Sequence, residues 1–292
     1  MVVSAFCYNT FATDGDPERH IAMKAKGSGV DAGTTVAIRT FSVDRLQEEL
    51  SAHVRQGSLA FVRFALGRGA DPTVEDCILQ ACEEQHTAVA LELLRWRGWG
   101  RLSGKTVDLS VNAGACLVHS VSSGGYVLTK ALLEFKGPRA HRVNPLTILD
   151  GILWRACSED GAQSPEQAAN ILQLLLKWAG EGGGYLDPTR EDPDPLLTAC
   201  TAGFEGAVDL LLGWRPPKTA VAEHRDRFLD PRENDCAALV AAAMWGHASC
   251  VARLLRWKRG EHALCRRVLD GVDWMCQPGV DYSGVLGVLA TP

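Results

Sequence analysis

The sequence predicts an all-α chain: stacked helix pairs joined by long connecting loops. Three observations predict it. In residues 239–257, LVAAAMWGHASCVARLLRW, Ala242 and Ala243 follow Leu239 at helical spacing, and a Gly-His pair, a leucine pair and Trp257 come after. That pattern is a short helix, a glycine turn and a second amphipathic helix. The same spacing starts again near positions 50, 78, 117, 153 and 196, at intervals of about 28 to 43 residues, the mark of a repeat array. The segments between these units are rich in Gly and Pro, such as 179–195, AGEGGGYLDPTREDPDP.

Each element follows from its residues. Residues 1–40 lack the repeat spacing. Gly27, Gly29 and Gly33 beside the run at 35–38 are compatible with a short strand pair, an N-terminal cap or a disordered arm. Helical spacing begins at Phe41. Ser42 and Asp44 are both N-cap candidates before Leu46, Leu50 and Val54, and Gly69-Ala70-Asp71-Pro72 stops the second helix. The second unit runs from Ile78 through Ala81-Cys82 and His86 to Leu93-Leu94 and Trp96. The third runs from Leu117 through Gly124 to Leu132-Leu133 and Phe135.

The fourth begins at Leu153 and Ala156-Cys157, but its Leu175-Leu176 and Trp178 arrive late. The insertion lies around 158–167. There Ser164-Pro165 looks like a fresh helix start, with the second helix predicted over 166–178. The fifth runs from Leu196 to Trp214, and the sixth from Leu239 to Trp257. Residues 281–292 resemble the opening of unit six and are expected to form the first helix of a partial seventh. Three regions result: 1–40 as an extension or cap, 41–258 as the repeats, and 259–292 as a loop with the partial unit. The second leucine of each pair, Leu94, Leu133, Leu176, Leu212 and Leu255, is expected in the core.

The unit resembles the ankyrin repeat. That family's pattern is Thr-Pro-Leu-His, two small residues, Gly-His, Val-like residues, a leucine run and Gly-Ala. Pro195 before Leu196, Gly246-His247 and Gly69-Ala70 match it, and six units share one internal register. Thr-Pro-Leu-His is nowhere intact. The resemblance covers about residues 44–258. It implies an ankyrin-like solenoid and a protein–protein interaction module, an adaptor or scaffold, with loops and first helices forming a concave face. It also implies that His86 and His247 brace their turns by hydrogen bonding. The second function class is a structural subunit locked into a larger assembly. A fixed co-purifying stoichiometry would distinguish it from an exchanging adaptor.

Composition narrows the classes. The chain has 292 residues, 46% hydrophobic and 22% charged, with a net charge of −5. That charge gives no general drive toward nucleic acid or an anionic membrane, and no apolar run reaches bilayer length. The first twenty residues lack the basic start and long apolar stretch of a signal peptide. The ten cysteines form no CxxC pair. Cys82, Cys157 and Cys200 share one small core position and are expected to be free thiols of a cytoplasmic, reducing compartment. No GxSxG, P-loop or HExxH pattern occurs, so neither an enzyme nor a cofactor, metal or small-molecule substrate is expected.

The expected partner is a protein. Trp96, Phe135, Trp178, Trp214 and Trp257 recur in register and are expected to pack at helix ends. Trp99, Trp245 and Trp274 stand outside that register. Trp245 takes a position where the sister units have Glu84, Ser123 and Ala202, so it is an interface candidate, as exposed Trp is enriched at binding hot spots. Arg95, Arg97, Lys177, Arg215, Arg253, Arg256, Lys258 and Arg259 cluster at helix ends, where the helix dipole favours cations. The connections 179–195 and 215–235 flank unit five and mix both charge signs. They add Tyr185, Arg190, Glu191, Asp192, Arg225 and Arg227 to Trp245 and Trp99 as candidate partner-binding residues. Shortening those connections is expected to leave stability nearly unchanged.

Overall fold

The computed structural model describes residues 42–148, 151–159, 164–180, 184–220, 222–257, 269, 275 and 277–290. Residues 1–40, Trp274, Lys258 and Arg259, on which expectations were placed, lie outside them. Among the described residues every regular element is helical and none is a strand. Phe41–Pro292 cluster as one unit by contacts.

The helices are α1 (Val43–Arg55), α2 (Leu59–Gly67), α3 (Cys77–Glu83), α4 (Thr87–Arg95), α5 (Ala115–Ser122) and α6 (Tyr126–Leu133). Then come α7 (Pro165–Leu176), α8 (Pro195–Thr201), α9 (Glu205–Gly213), α10 (Glu233–Met244), α11 (Ala248–Arg256) and α12 (Ser283–Ala290). Local chemistry starts several of them. Ser42 rather than Asp44 caps α1, its hydroxyl accepting from the Arg45 amide at 3.3 Å. Ser164 and Gln167 cap α7 reciprocally, with Pro165 in the first turn, because proline has no amide to leave unsatisfied there. Asp194 and Pro195 start α8 in the same way.

Contacts run in two rows. α1 packs on α3, and α3 on α5. α5 and α8 both pack on the turn Arg155–Cys157, and α8 packs on α10. The other row is α2, α4, α6, α7, α9, α11 and α12, each against the next. Rungs join the rows: α1 with α2, α3 with α4, α5 with α6, α8 with α9, and α10 with α11. Every rung is short because one left-handed residue closes it: Gly57, Gln85, Gly124, Gly203 and Gly246 all have positive φ.

Two elements differ from expectation. In unit four the first helix is a single 3-10 turn, Arg155–Cys157. Its Ala156 and Cys157 are still fully buried, so the unit keeps its place in the row with less helix. The last helix, α12, packs on α11 and so lies in the second row, not the first. Tyr282 fixes it there, its hydroxyl donating to the Met244 carbonyl at 3.0 Å.

The core is the strip between the rows. Trp96, Phe135, Trp214 and Trp257 are buried and Trp178 is partly buried, as their register predicts. The leucine pairs correct a detail. Leu93, Leu132, Leu175, Leu211 and Leu254 are buried; of the second leucines, Leu94 and Leu212 are buried as expected, whereas Leu133, Leu176 and Leu255 are only partly buried. A helix turns about 100° per residue, so the second leucine of a pair faces the core less directly than the first and is the one that reaches solvent in three units. The seven described cysteines are free and buried. Burial pushes the thiols of Cys157 and Cys200 up, that of Cys77 to about 12 and that of Cys250 to about 11, which makes these four packing groups rather than nucleophiles.

Replacing Leu211 with Ala should lower the unfolding free energy by about 2–5 kcal/mol. Leu255→Ala should cost distinctly less, since part of its surface is already wet. Denaturant titration of both variants checks the register; equal losses would reverse it.

Candidate partner-binding surface

The connections between units are built on one repeated local motif. Asp71, Asp108, Asn144, Asp187 and Asp230 each accept, through a side-chain oxygen, the amide two residues on, at 2.8–3.2 Å. Such a turn lets a short side chain do the work of a backbone bond. Four of the five are followed by Pro, and the fifth, Asp108, stands two residues before Ser110. Each stands seven to nine residues before the leucine or isoleucine that opens its unit. The sequence held this signal, an Asp or Asn at a fixed distance before each helix pair, and helical spacing alone overlooks it.

Two of these aspartates tie one connection to the next. Asp71 binds Thr73 with one carboxylate oxygen and the Lys105 ammonium with the other, at 2.7 Å. Asp187 repeats the arrangement with Thr189 and Arg227, at 2.7 and 2.8 Å. Gln47 of α1 secures the Asp71 backbone from both sides, accepting its amide at 2.7 Å and donating to its carbonyl at 3.0 Å. The Tyr185 hydroxyl lies 3.1 Å from His224 Nδ1. The loops 184–194 and 222–232 are therefore joined to each other.

Glu191 has a related role. Its carboxylate accepts the amides of Ile152, Leu153 and Trp154 at 3.1, 2.8 and 3.2 Å. Burial raises its pKa, against the pull of those three amides. Three amides gathered on one carboxylate hold the chain at the start of unit four in place of a longer helix.

These contacts divide the candidate residues. Tyr185, Glu191 and Arg227, all partly buried, spend polar groups on the protein itself. Arg190, Asp192 and Arg225 are exposed, although Arg225 also donates to the Ala220 carbonyl at 3.3 Å. Trp99 is 57% exposed and Trp245 47%. Trp245 is the C-cap of α10, at one end of the first row. Trp99 lies in the connection after α4, with its ring beside Gly69. Among the described residues neither tryptophan has a hydrogen bond or cation–ring contact with Arg190, Asp192 or Arg225.

Given these contacts, shortening 179–195 and 215–235 is expected to cost stability. These segments supply the Asp187–Arg227 and Glu191 contacts, and buried polar partners are costly to remove.

The basic residues at helix ends behave as the dipole argument expects in two cases. Arg97 donates to the carbonyls of Leu94 and Trp96 at 3.0 and 2.7 Å, and Arg215 does the same at Leu212 and Trp214. Arg253 instead pairs with Glu205 and Asp209 of α9. No group of three or more His, Cys, Asp or Glu among the described residues is placed to hold a metal ion.

Two measurements follow from these contacts. Glu191→Ala leaves three amides without their acceptor and should cost at least about 1–3 kcal/mol; a change within about 0.5 kcal/mol would mark Glu191 as an ordinary surface residue. Asp71 is the pH-dependent case. Burial raises its pKa, but Lys105 and the Thr73 hydroxyl and amide outweigh burial and hold it below the usual aspartate value. A depressed folded value adds stability above the unfolded pKa of about 3.9 and loses it as pH falls through the folded value. Asp71→Asn should therefore destabilise the chain at neutral pH, with a deficit that shrinks below about pH 4. Thermal unfolding across pH reads this directly, and a constant deficit would contradict it.

No protein-family model matches the chain, and no curated protein matches it in sequence.

Proposed function

We propose that residues 41–258 form an ankyrin-like solenoid whose task is to hold a protein partner, as an adaptor or scaffold. The two uninterrupted rows of contacts support the solenoid reading, and so do the left-handed turns within the rungs. His86 and His247 add to it. Their Nε2 atoms lie 2.8 and 2.9 Å from the carbonyls of Arg55 and Thr201, in the unit before. That is the bracing the resemblance implies.

The observation that carries the binding reading is Trp245. A half-exposed indole at the end of α10 keeps apolar area in water that a partner would cover, and buried Trp anchors dominate interface energies. The first helices and connections around it would form the concave face. Arg190, Asp192 and Arg225 would supply polar contacts at its rim, where charges set specificity more than affinity. Free, buried thiols suit a reducing, cytoplasmic setting. Among the described residues, no helix is long and apolar enough to cross a membrane.

The test is affinity purification of the tagged chain with mass spectrometry, beside the Trp245→Ala variant. The parent should retain a protein partner. The variant should keep its unfolding midpoint and bind at least about tenfold more weakly, or 1.4 kcal/mol. Equal retention by both forms would remove Trp245 from the interface, and a large loss of stability would return it to the core.

A further inference from the structure

A second surface lies on the other row, where α4 and α6 end side by side. Leu91, Leu94, Ala131 and Phe135 line an open cleft between the two helix ends. Phe135 and Leu94 are its buried members, and Leu91 and Ala131 are partly exposed. Three cations rim it: Arg95, Arg97 and Lys136, against one acid, Glu134. The chain as a whole carries −5, so this local excess of positive charge runs against the background.

The three cations differ in what occupies them. Arg97 is committed to the carbonyls of Leu94 and Trp96, with its guanidinium carbon 5.5 Å from the centre of the Phe135 ring. Helix-end carbonyls account for it. Arg95 and Lys136 are exposed, and neither has an ion pair or hydrogen bond among the described residues. The ion-pair partner of Glu134, just past the end of α6, is Lys130 of that helix rather than Arg95 or Lys136. Elsewhere on this row, Arg63 is paired with Glu92 across α2 and α4, and Arg253 with Glu205 and Asp209 across α9 and α11. At the α4–α6 cleft two cations, Arg95 and Lys136, stand above an apolar floor.

Lys136 belongs to a pattern in the sequence. Trp96-Arg97, Phe135-Lys136, Trp214-Arg215 and Trp257-Lys258 are aromatic–cation pairs at the same place in four units. In two of them the arginine turns back on its own helix, which a lysine, with no planar fork of donors, is less suited to do. Lys136 therefore keeps its ammonium available.

We propose that this cleft binds an acidic peptide segment carrying bulky apolar side chains. The apolar side chains would cover Leu91, Ala131 and the edge of Phe135, and carboxylates would meet Arg95 and Lys136. Charge complementarity selects the occupant. A polyanion such as nucleic acid would meet Glu134 and the acidic remainder of the chain. A flat anionic membrane would not reach a floor set between two helix ends. This surface is separate from the one around Trp245, so each stands or falls by itself.

The test uses the full chain and a fluorescein-labelled, end-blocked peptide alternating Glu with Leu and Phe, read by anisotropy. Binding should saturate, and should weaken as ionic strength rises from about 0.01 to about 0.15 M. Arg95→Glu with Lys136→Glu should weaken it at least about tenfold, with an unchanged circular dichroism spectrum and unfolding midpoint. A matching peptide of Glu and Ser should bind at least about tenfold more weakly as well, since it leaves the floor uncovered. Trp245→Ala should bind the probe like the parent. The proposal is overturned if the probe never saturates, if the doubly reversed variant binds it equally, or if the Glu–Ser peptide binds as well. It is overturned too if phosphatidylserine-containing vesicles bind at the cleft and the peptide does not. Should the double variant unfold, Arg95→Gln with Lys136→Gln gives the same reading with less perturbation, and undiminished binding by that folded variant overturns the proposal.

Discussion

The structure depends on how one unit closes onto the next. At Gly57 and Gly203 the chain takes a left-handed conformation, φ 69° and 70°, which glycine adopts at no steric cost. The imidazole of the following unit lies directly over each. A Cβ on Gly57 would stand 2.7 Å from His86 Nδ1, and one on Gly203 would stand 2.5 Å from His247 Nδ1. The missing side chain is thus needed twice, for the backbone angle and for the space. The histidine then hydrogen-bonds the last carbonyl of the first helix, a group every helix end leaves open.

The same junction is solved differently elsewhere. After α10, Tyr282 takes the carbonyl of Met244 and Val280 packs over Gly246. After α3, the turn residue is Gln85 rather than glycine, and the residue aligned with His86 is Gly125. Large and small have changed places across that junction. The polar ties between connections add a second layer of nearest-neighbour contacts: Asp71 to Lys105, Asp187 to Arg227, and Glu191 to the amides of unit four. In an array each unit is stabilised chiefly by its neighbours, so such ties matter more than their number suggests.

Much of this was legible in the sequence. Helical period and the Gly–His turn gave the helices, and the aromatic ladder gave the buried helix ends. The missed parts have physical reasons. Leu153 and Ala156-Cys157 carry the spacing of a first helix, but Glu191, far along the chain, holds the amides there and one 3-10 turn suffices. Residues 281–292 begin like unit six, but the hydroxyl of Tyr282 assigns α12 to the other row. In the candidate surface, composition could mark Glu191 and Arg227 as charged loop residues. It could not reveal that their partners, the amides of 152–154 and Asp187, lie inside the same protein. The exposure of Trp245 was readable because its position breaks a register; Lys136 was readable only by aligning four aromatic–cation pairs.

The central claim is that neighbouring units are coupled through these turns, one junction at a time. Native-state hydrogen exchange on Gly203→Ala tests it most directly. The added methyl meets both the backbone angle and His247, so it loosens the junction between unit five and unit six. Amide protection should fall in α8, α9, α10 and α11, and remain close to the parent in α1 to α4. An even loss along the chain, or no loss at all, would contradict coupling through that junction.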